Sequence, residues 1–145
     1  MIYFAYGSNM DHEQMEARCP GHRVIGIGRL SNYALVFTRW SRSWNSGTAD
    51  ILPERAREIY GVLYDLTLDD LKRMDKFADY PNSYIRQDVV VEIQGEALPA
   101  LTYVAIRQGV FLPSKAYLGK MIQGAEKNKV PDHYLGFLKS IRTHD

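Results

Sequence analysis

The order of strand-like and helix-like segments is the feature that most restricts how this chain can fold. Five runs rich in aromatic and β-branched residues, a pattern typical of strands, fall mainly in the first two-thirds of the sequence. They cover residues 2–6, 33–38, 59–66, 84–93 and 98–106. Because helical patterns do not alternate regularly with these runs, a doubly wound parallel sheet is disfavoured.

Helical spacing is confined to three places. A short polar helix is expected over residues 11–18, and a second begins after Thr67, where apolar residues recur every third position before Pro81 is expected to end it. The tail predicts two further helices, one capped by Ser114 and one with Pro131 at its first position. We therefore predict an α+β fold: a small mixed, mostly antiparallel, barrel-like sheet with a few helices.

Length and charge restrict the class of protein. The 145 residues, 46% of them hydrophobic, predict a single domain over residues 1–145 with its own core. With 18 Lys and Arg against 17 Asp and Glu, the chain lacks the charge expected of a protein that binds nucleic acid or anionic lipid. No stretch approaches the roughly 20 apolar residues that span a bilayer. Cys19 is the only cysteine and Met1 leads directly into a strand, so we expect a cytoplasmic protein without an internal disulfide.

Several short motifs are poor matches to known sites. The Gly26-Ile27-Gly28 segment lacks the third glycine of a dinucleotide-binding loop and is interpreted as a bend. His12 and Glu13 resemble half of a zinc-binding helix, but the second histidine is absent and the other histidines are scattered, so no metal site is predicted. Cys19 is interpreted as a small packed thiol rather than as a nucleophile.

The end of the first strand leads into a candidate binding or catalytic loop. Residues 4–10 (FAYGSNM) pass from a buried-looking apolar run into a small, flexible, amide-rich loop before a helix. Gly7 permits close approach of a ligand, and consecutive backbone N–H groups at a helix start form a concavity suited to a carboxylate or a developing oxyanion. A strand-to-helix turn without chemistry is the alternative, and the loop alone does not decide between them.

The YGSN loop resembles the signature of the γ-glutamyl cyclotransferase-like family. Further segments in the same order are similar to that family: residues 44–51, 58–64, 74–81 with Tyr84 and Arg86, 113–117 and 124–131. The resemblance implies cyclisation of a γ-glutamyl group: the α-amine attacks its own γ-amide carbonyl, releasing 5-oxoproline and an amine or amino acid. It implies no cofactor and a small-molecule γ-glutamyl partner, and it is compatible with a homodimer. The substrate-binding residues it implies are Tyr6, Gly7, Ser8, Asn9, Met10, Tyr84, Tyr103 and Tyr117.

One position departs from the family pattern. Counting from Asp75, the family's proton-transferring glutamate falls on Ala78, whose methyl group cannot carry a proton. Loss of a general acid–base group costs about 10²- to 10⁴-fold in rate, so the resemblance implies a weak or inactive catalyst. Asp79 is not expected to replace it, because adjacent side chains point in different directions.

Three explanations of Ala78 stay open. Glutamate was replaced in the laboratory, the chain naturally lost turnover and kept binding, or another carboxylate acts, with Glu58, Glu92 and Asp50 as candidates. The alternatives to an enzyme are a module that binds γ-glutamyl compounds or 5-oxoproline, and an interaction domain with a vestigial pocket. Two further expectations concern ligand contacts: Arg86 is a candidate partner for the substrate α-carboxylate, although a solvated arginine is favoured, and residues 39–46 are a candidate selectivity loop.

Overall fold

The computed structural model describes all 145 residues as a five-stranded barrel with four α-helices. In chain order the elements are β1 (Ile2–Ala5), a 3₁₀ helix (Ser8–Met10), α1 (His12–Arg18), β2 (Arg23–Ser41), β3 (Ser46–Asp65), α2 (Leu68–Phe77), β4 (Tyr84–Ile93), β5 (Glu96–Ala105), α3 (Lys115–Lys127) and α4 (Asp132–Lys139). None of the helices has the length and apolar character that crossing a membrane requires.

The barrel is mostly antiparallel and is closed by one parallel contact. Its strand order is β1-β3-β2-β4-β5, and β1 returns to β5 through the parallel pair Tyr3–Leu101. The strand pairing between β2 and β4 is antiparallel and is limited to the single residue pair Arg29–Glu92. The predicted α+β class with a mixed, mostly antiparallel, barrel-like sheet is confirmed.

The β2–β3 hairpin is much longer than the sequence predicted. Its strands have 19 and 20 residues and pair from Arg23–Asp65 to Ser41–Ser46, with three register shifts. The predicted bend at residues 26–28 is wrong, because this segment lies within β2. Gly26 has φ +153° next to the first shift, and a Cβ on Gly28 would lie 2.3 Å from Val91 Cγ1. Gly26 therefore allows the backbone distortion at the register shift, and Gly28 allows β2 to pass close to β4.

Side-chain caps set the starts of three helices. Asp11 Oδ2 accepts a hydrogen bond from the Gln14 N–H (3.1 Å), Thr67 and Asp70 form a capping box, and the Ser114 hydroxyl oxygen accepts from the Tyr117 N–H. Helix α2 ends at Phe77, before Pro81 is reached. Pro131 was predicted as the first residue of α4 and instead precedes it.

Helix α3 positions the loop after β1. Tyr117, Leu118 and Met121 of this helix belong to the main core cluster. Gly124 lies so close to the loop that an added Cβ would be 2.4 Å from the Met10 carbonyl carbon. The loop is therefore held between the barrel and α3.

Candidate functional site

A cavity of about 340 Å³ opens where β1 ends. Its walls come from the loop after β1, the end of α2, the tip of the β2–β3 hairpin and the start of α3. Of the residues that the sequence singled out, those that line the cavity are Tyr6, Gly7, Ser8, Asn9, Ala78, Tyr84, Tyr103 and Tyr117. Met10 does not line it, because its side chain is fully buried in the core.

The loop turns directly from β1 into the 3₁₀ helix. Its turn hydrogen bonds begin with the Met10 N–H, which donates to the Gly7 carbonyl (3.1 Å), followed by Asp11 to Ser8 (3.1 Å). The N–H groups of Gly7, Ser8 and Asn9 make no such turn bond, as at any helix start. A Cβ on Gly7 would lie 3.2 Å from the Tyr117 hydroxyl oxygen, so a side chain there would crowd the cavity.

The Asn9 side chain braces the loop. Its Oδ1 accepts hydrogen bonds from Gln14 Nε2 (2.8 Å) and from Arg18 Nη1 (3.1 Å). Its Nδ2 donates to the Tyr3 hydroxyl (3.0 Å). Helix α1, which sequence analysis treated only as a polar helix, therefore fixes the orientation of the loop.

Two tyrosines, the buried Tyr117 and the half-buried Tyr84, place hydroxyl groups at the cavity wall. The Tyr117 hydroxyl accepts the Ala49 N–H (3.0 Å) and lies next to Ser8, while burial raises the pKa of Tyr117. Burial also raises the pKa of Tyr84, whose hydroxyl is 2.6 Å from Thr48 Oγ1. Both phenols stay protonated near neutral pH and present fixed hydroxyl groups.

Tyr6 and Tyr103 connect the barrel to α2. The Tyr6 hydroxyl donates to the Tyr103 carbonyl, and the Tyr103 hydroxyl donates to Asp75 Oδ1. Burial, followed by the neighbouring Asp75, raises the pKa of Tyr103. The two phenolic protons are used within the protein, so these tyrosines contribute mainly shape and rigidity to the wall.

The carboxylates near Ala78 are already engaged. Asp75 accepts two hydrogen bonds from the Arg86 guanidinium in addition to the one from Tyr103. Asp79 is the only carboxylate residue that lines the cavity, and it accepts a hydrogen bond from Ser83 Oγ (2.7 Å) that lowers its pKa. Its backbone is left-handed (φ +48°), so it continues neither the helix nor an extended segment.

The other candidate carboxylates lie away from the cavity. Asp50 is fully buried and accepts from Thr38 Oγ1 (2.7 Å), the Ala105 N–H (3.0 Å) and Arg107 Nε (3.1 Å). Glu58 and Glu92 form ion pairs with Arg29 at the β2–β4 contact. None of the three lines the cavity.

The arginine that the sequence proposed as a ligand contact, Arg86, is not one of the arginines that line the cavity. Arg86, the candidate for the substrate carboxylate, is paired with Asp75. Arg18 and Arg39 line the cavity instead, together with Trp40, Ser41, Ser43 and Trp44 of the hairpin tip. Arg18 was not predicted from the sequence, although it lies four residues after Gln14 on the same short helix.

Comparisons with known proteins identify the family. Residues 3–120 match the family model described as "Gamma-glutamyl cyclotransferase, AIG2-like". The chain belongs to this family. It is 29% identical to the Bos taurus protein named gamma-glutamylcyclotransferase, over 99% of this chain and 80% of the bovine one, and 28% identical to the Homo sapiens protein of that name over the same shares. A solved structure named gamma-glutamyl cyclotransferase superposes with a TM-score of 0.96 at 28% identity, covering 100% of this chain and 89% of that one.

In this member of the γ-glutamyl cyclotransferase family, Cys19 and His22 do not form a pair of nucleophile and base. Burial raises the pKa of Cys19 to about 11, and His22 Nδ1 lies 2.7 Å from the Cys19 carbonyl oxygen rather than by its thiol. No three His, Cys, Asp or Glu side chains are grouped so that they could hold a metal ion.

Proposed function

We propose that the cavity binds the γ-glutamyl group of a small molecule and cyclises it to 5-oxoproline, slowly because position 78 carries no carboxylate. The observation that carries this proposal is that Ala78 and the loop residues Gly7, Ser8 and Asn9 line one cavity. Family membership supports the same chemistry.

The reaction needs little beyond shape and proton transfer. The α-amine nitrogen bonds to the γ-carbonyl carbon, the bond from that carbon to the amide nitrogen breaks, and the products are 5-oxoproline and the released amine. Because both reacting groups belong to one molecule, a pocket that folds the chain supplies a large effective molarity. Loop N–H groups aimed at the carbonyl oxygen would stabilise the negative charge of the tetrahedral intermediate.

Proton transfer is the weak step in this chain. The attacking amine loses a proton and the leaving nitrogen gains one, and Asp79 is poorly suited to both because the hydrogen bond from Ser83 stabilises its charged form. Asp75 is also unsuited, since Arg86 and Tyr103 occupy its oxygens. We therefore expect a rate about 10²- to 10⁴-fold below that of a chain with a positioned carboxylate.

The test is Ala78→Glu, with Ala78→Gln as the matched control. Both side chains have the same length and shape, but only glutamate transfers a proton. Each variant and the parent chain are incubated with several γ-glutamyl amino acids and γ-glutamylamines, and 5-oxoproline is measured. We expect Ala78→Glu alone to gain activity. If all three folded proteins are equally inert, cyclisation is not the function of this cavity.

Ala78 itself favours a second candidate, a module that binds γ-glutamyl compounds or 5-oxoproline without turnover. Calorimetric titration of the parent chain with a γ-glutamyl dipeptide and with 5-oxoproline measures that binding. Tight binding combined with an inert Ala78→Glu variant would favour the module. Absence of binding to either compound would exclude it.

A further inference from the structure

Two guanidinium groups in the cavity lack an acidic partner. The six arginines that form salt bridges with carboxylates are Arg23, Arg29, Arg57, Arg73, Arg86 and Arg107. Arg18 and Arg39 line the cavity and are not among them. A partly buried guanidinium without an anion is unfavourable, and an anionic ligand would relieve this cost.

Arg18 is held in place by contacts that leave most of its donors free. Its Nη1 donates to Asn9 Oδ1 (3.1 Å), and its Cζ lies 4.7 Å from the centre of the Phe77 ring. Stacking on a ring and one hydrogen bond fix the plane of the group but use only one of its five N–H donors. The remaining edge is therefore a preoriented site for a carboxylate.

Arg18 lies between the loop after β1 and the end of α2. One contact ties it to Asn9 in the loop, and the other ties it to Phe77, the residue before Ala78. It therefore lies between the two parts of the cavity to which the proposed function assigns the carbonyl oxygen and the amine.

From this geometry we infer that Arg18 binds the α-carboxylate of the γ-glutamyl group. The inference rests on the proposed function and deepens it by naming the group that fixes the substrate. The α-amine and α-carboxylate share one carbon atom, so a residue that binds the carboxylate must adjoin the place where the amine reacts. Arg18 adjoins position 78 through Phe77.

Arg39 meets this condition only in part, because its charge acts on Asp79 beside Ala78 but it makes no hydrogen bond with the loop after β1. It lies on β2, donates to the Ile106 carbonyl (2.9 Å) and helps to lower the pKa of Asp79. Its place among the hairpin-tip residues directs it to the part of the ligand beyond the scissile amide. It thus provides a control that removes the same charge from another wall of the same cavity.

The experiment measures a preference rather than an affinity. Binding of a γ-glutamyl dipeptide is compared with binding of its analogue in which the α-carboxylate is an α-carboxamide, by calorimetry on the full chain. We expect the parent chain to prefer the carboxylate form by about tenfold or more, as for the loss of a charge-assisted hydrogen bond. Arg18→Gln should abolish the preference, Arg18→Lys should reduce it, and Arg39→Gln should retain it.

Three outcomes would overturn the inference. Equal weakening of both ligands by Arg18→Gln would mean that Arg18 acts only through Asn9, and loss of the preference in Arg39→Gln would mean that only the total charge of the cavity matters. A parent chain that binds neither ligand would remove the proposed function together with the inference. Thermal unfolding of each variant verifies the fold, and Arg18→Lys provides the measurement if Arg18→Gln does not fold.

Discussion

Gln14 and Asn9 are joined by a hydrogen bond of 2.8 Å from Gln14 Nε2 to Asn9 Oδ1. The same Gln14 nitrogen lies 2.8 Å from Ser8 Oγ, so one amide on α1 holds two consecutive loop residues. Since Asn9 Nδ2 donates to the Tyr3 hydroxyl, the Asn9 side chain is engaged through both its oxygen and its nitrogen and acts as a brace for the loop.

Removal of this brace should loosen the loop. In Gln14→Met the side chain keeps its length and loses both hydrogen bonds, so we expect a loss of about 1–3 kcal/mol in the free energy of unfolding and weaker binding of a γ-glutamyl dipeptide. Urea unfolding and calorimetry measure the two effects. Gln87→Met is the control, because Gln87 bonds only Tyr33 and lies outside the cavity wall. Unchanged ligand binding in Gln14→Met would contradict the bracing role.

Two glycines of α3 should respond in opposite ways to alanine. A Cβ on Gly124 would meet the Met10 backbone at 2.4 Å, whereas nothing lies within 4 Å of a Cβ on Gly119. We expect Gly124→Ala to destabilise by about 1–3 kcal/mol through overpacking. Gly119→Ala should stabilise by about 0.5–1 kcal/mol through helix propensity. Melting temperatures compared between the two variants check this, and a shift of the same sign in both would refute the close approach.

Asp50 should be structural and not catalytic. Asp50→Ala leaves the buried Ala105 N–H and Thr38 hydroxyl without their acceptor, so we expect a loss of about 1–3 kcal/mol per unsatisfied group. Glu54→Ala on the exposed surface of β3 should change stability by less than about 0.5 kcal/mol. Denaturant unfolding distinguishes the two, and a fully stable Asp50→Ala protein would show that the hydrogen bonds to this carboxylate are dispensable.

Alkaline pH should destabilise the fold. Burial raises the pKa of Cys19 to about 11 and that of Tyr3 to about 12, so the native state keeps protons that the unfolded chain loses at lower pH. The native state then binds more protons, and the free energy of unfolding falls as pH rises above about 9. Stability is full below that range. Urea unfolding at about pH 8 and about pH 10 measures the loss, and Cys19→Ala should show a smaller one.

Features that depend on neighbours in the sequence were predictable. The periodicity of residues 84–93 identifies β4, and Thr67 and Ser114 identify helix starts, because a strand repeats every two residues and a cap acts within one helical turn. The loop at residues 6–9 was also recognisable, since a short motif contains its own turn. By contrast, the polar outer parts of β2 and β3 lack a clear apolar pattern and become strands by pairing with each other.

The amino-acid sequence by itself determined the helix starts, the central parts of the strands, the family resemblance and the absence of a carboxylate at residue 78. Only the tertiary structure decided which charged groups reach the cavity. Arg86 forms an ion pair with Asp75, eleven residues earlier, and Asp50 forms one with Arg107, 57 residues later. Arg18 has no carboxylate partner. A charged side chain can bind a ligand only if folding does not place an oppositely charged side chain beside it. Such partners lie far apart in the sequence, so a local sequence pattern does not identify them.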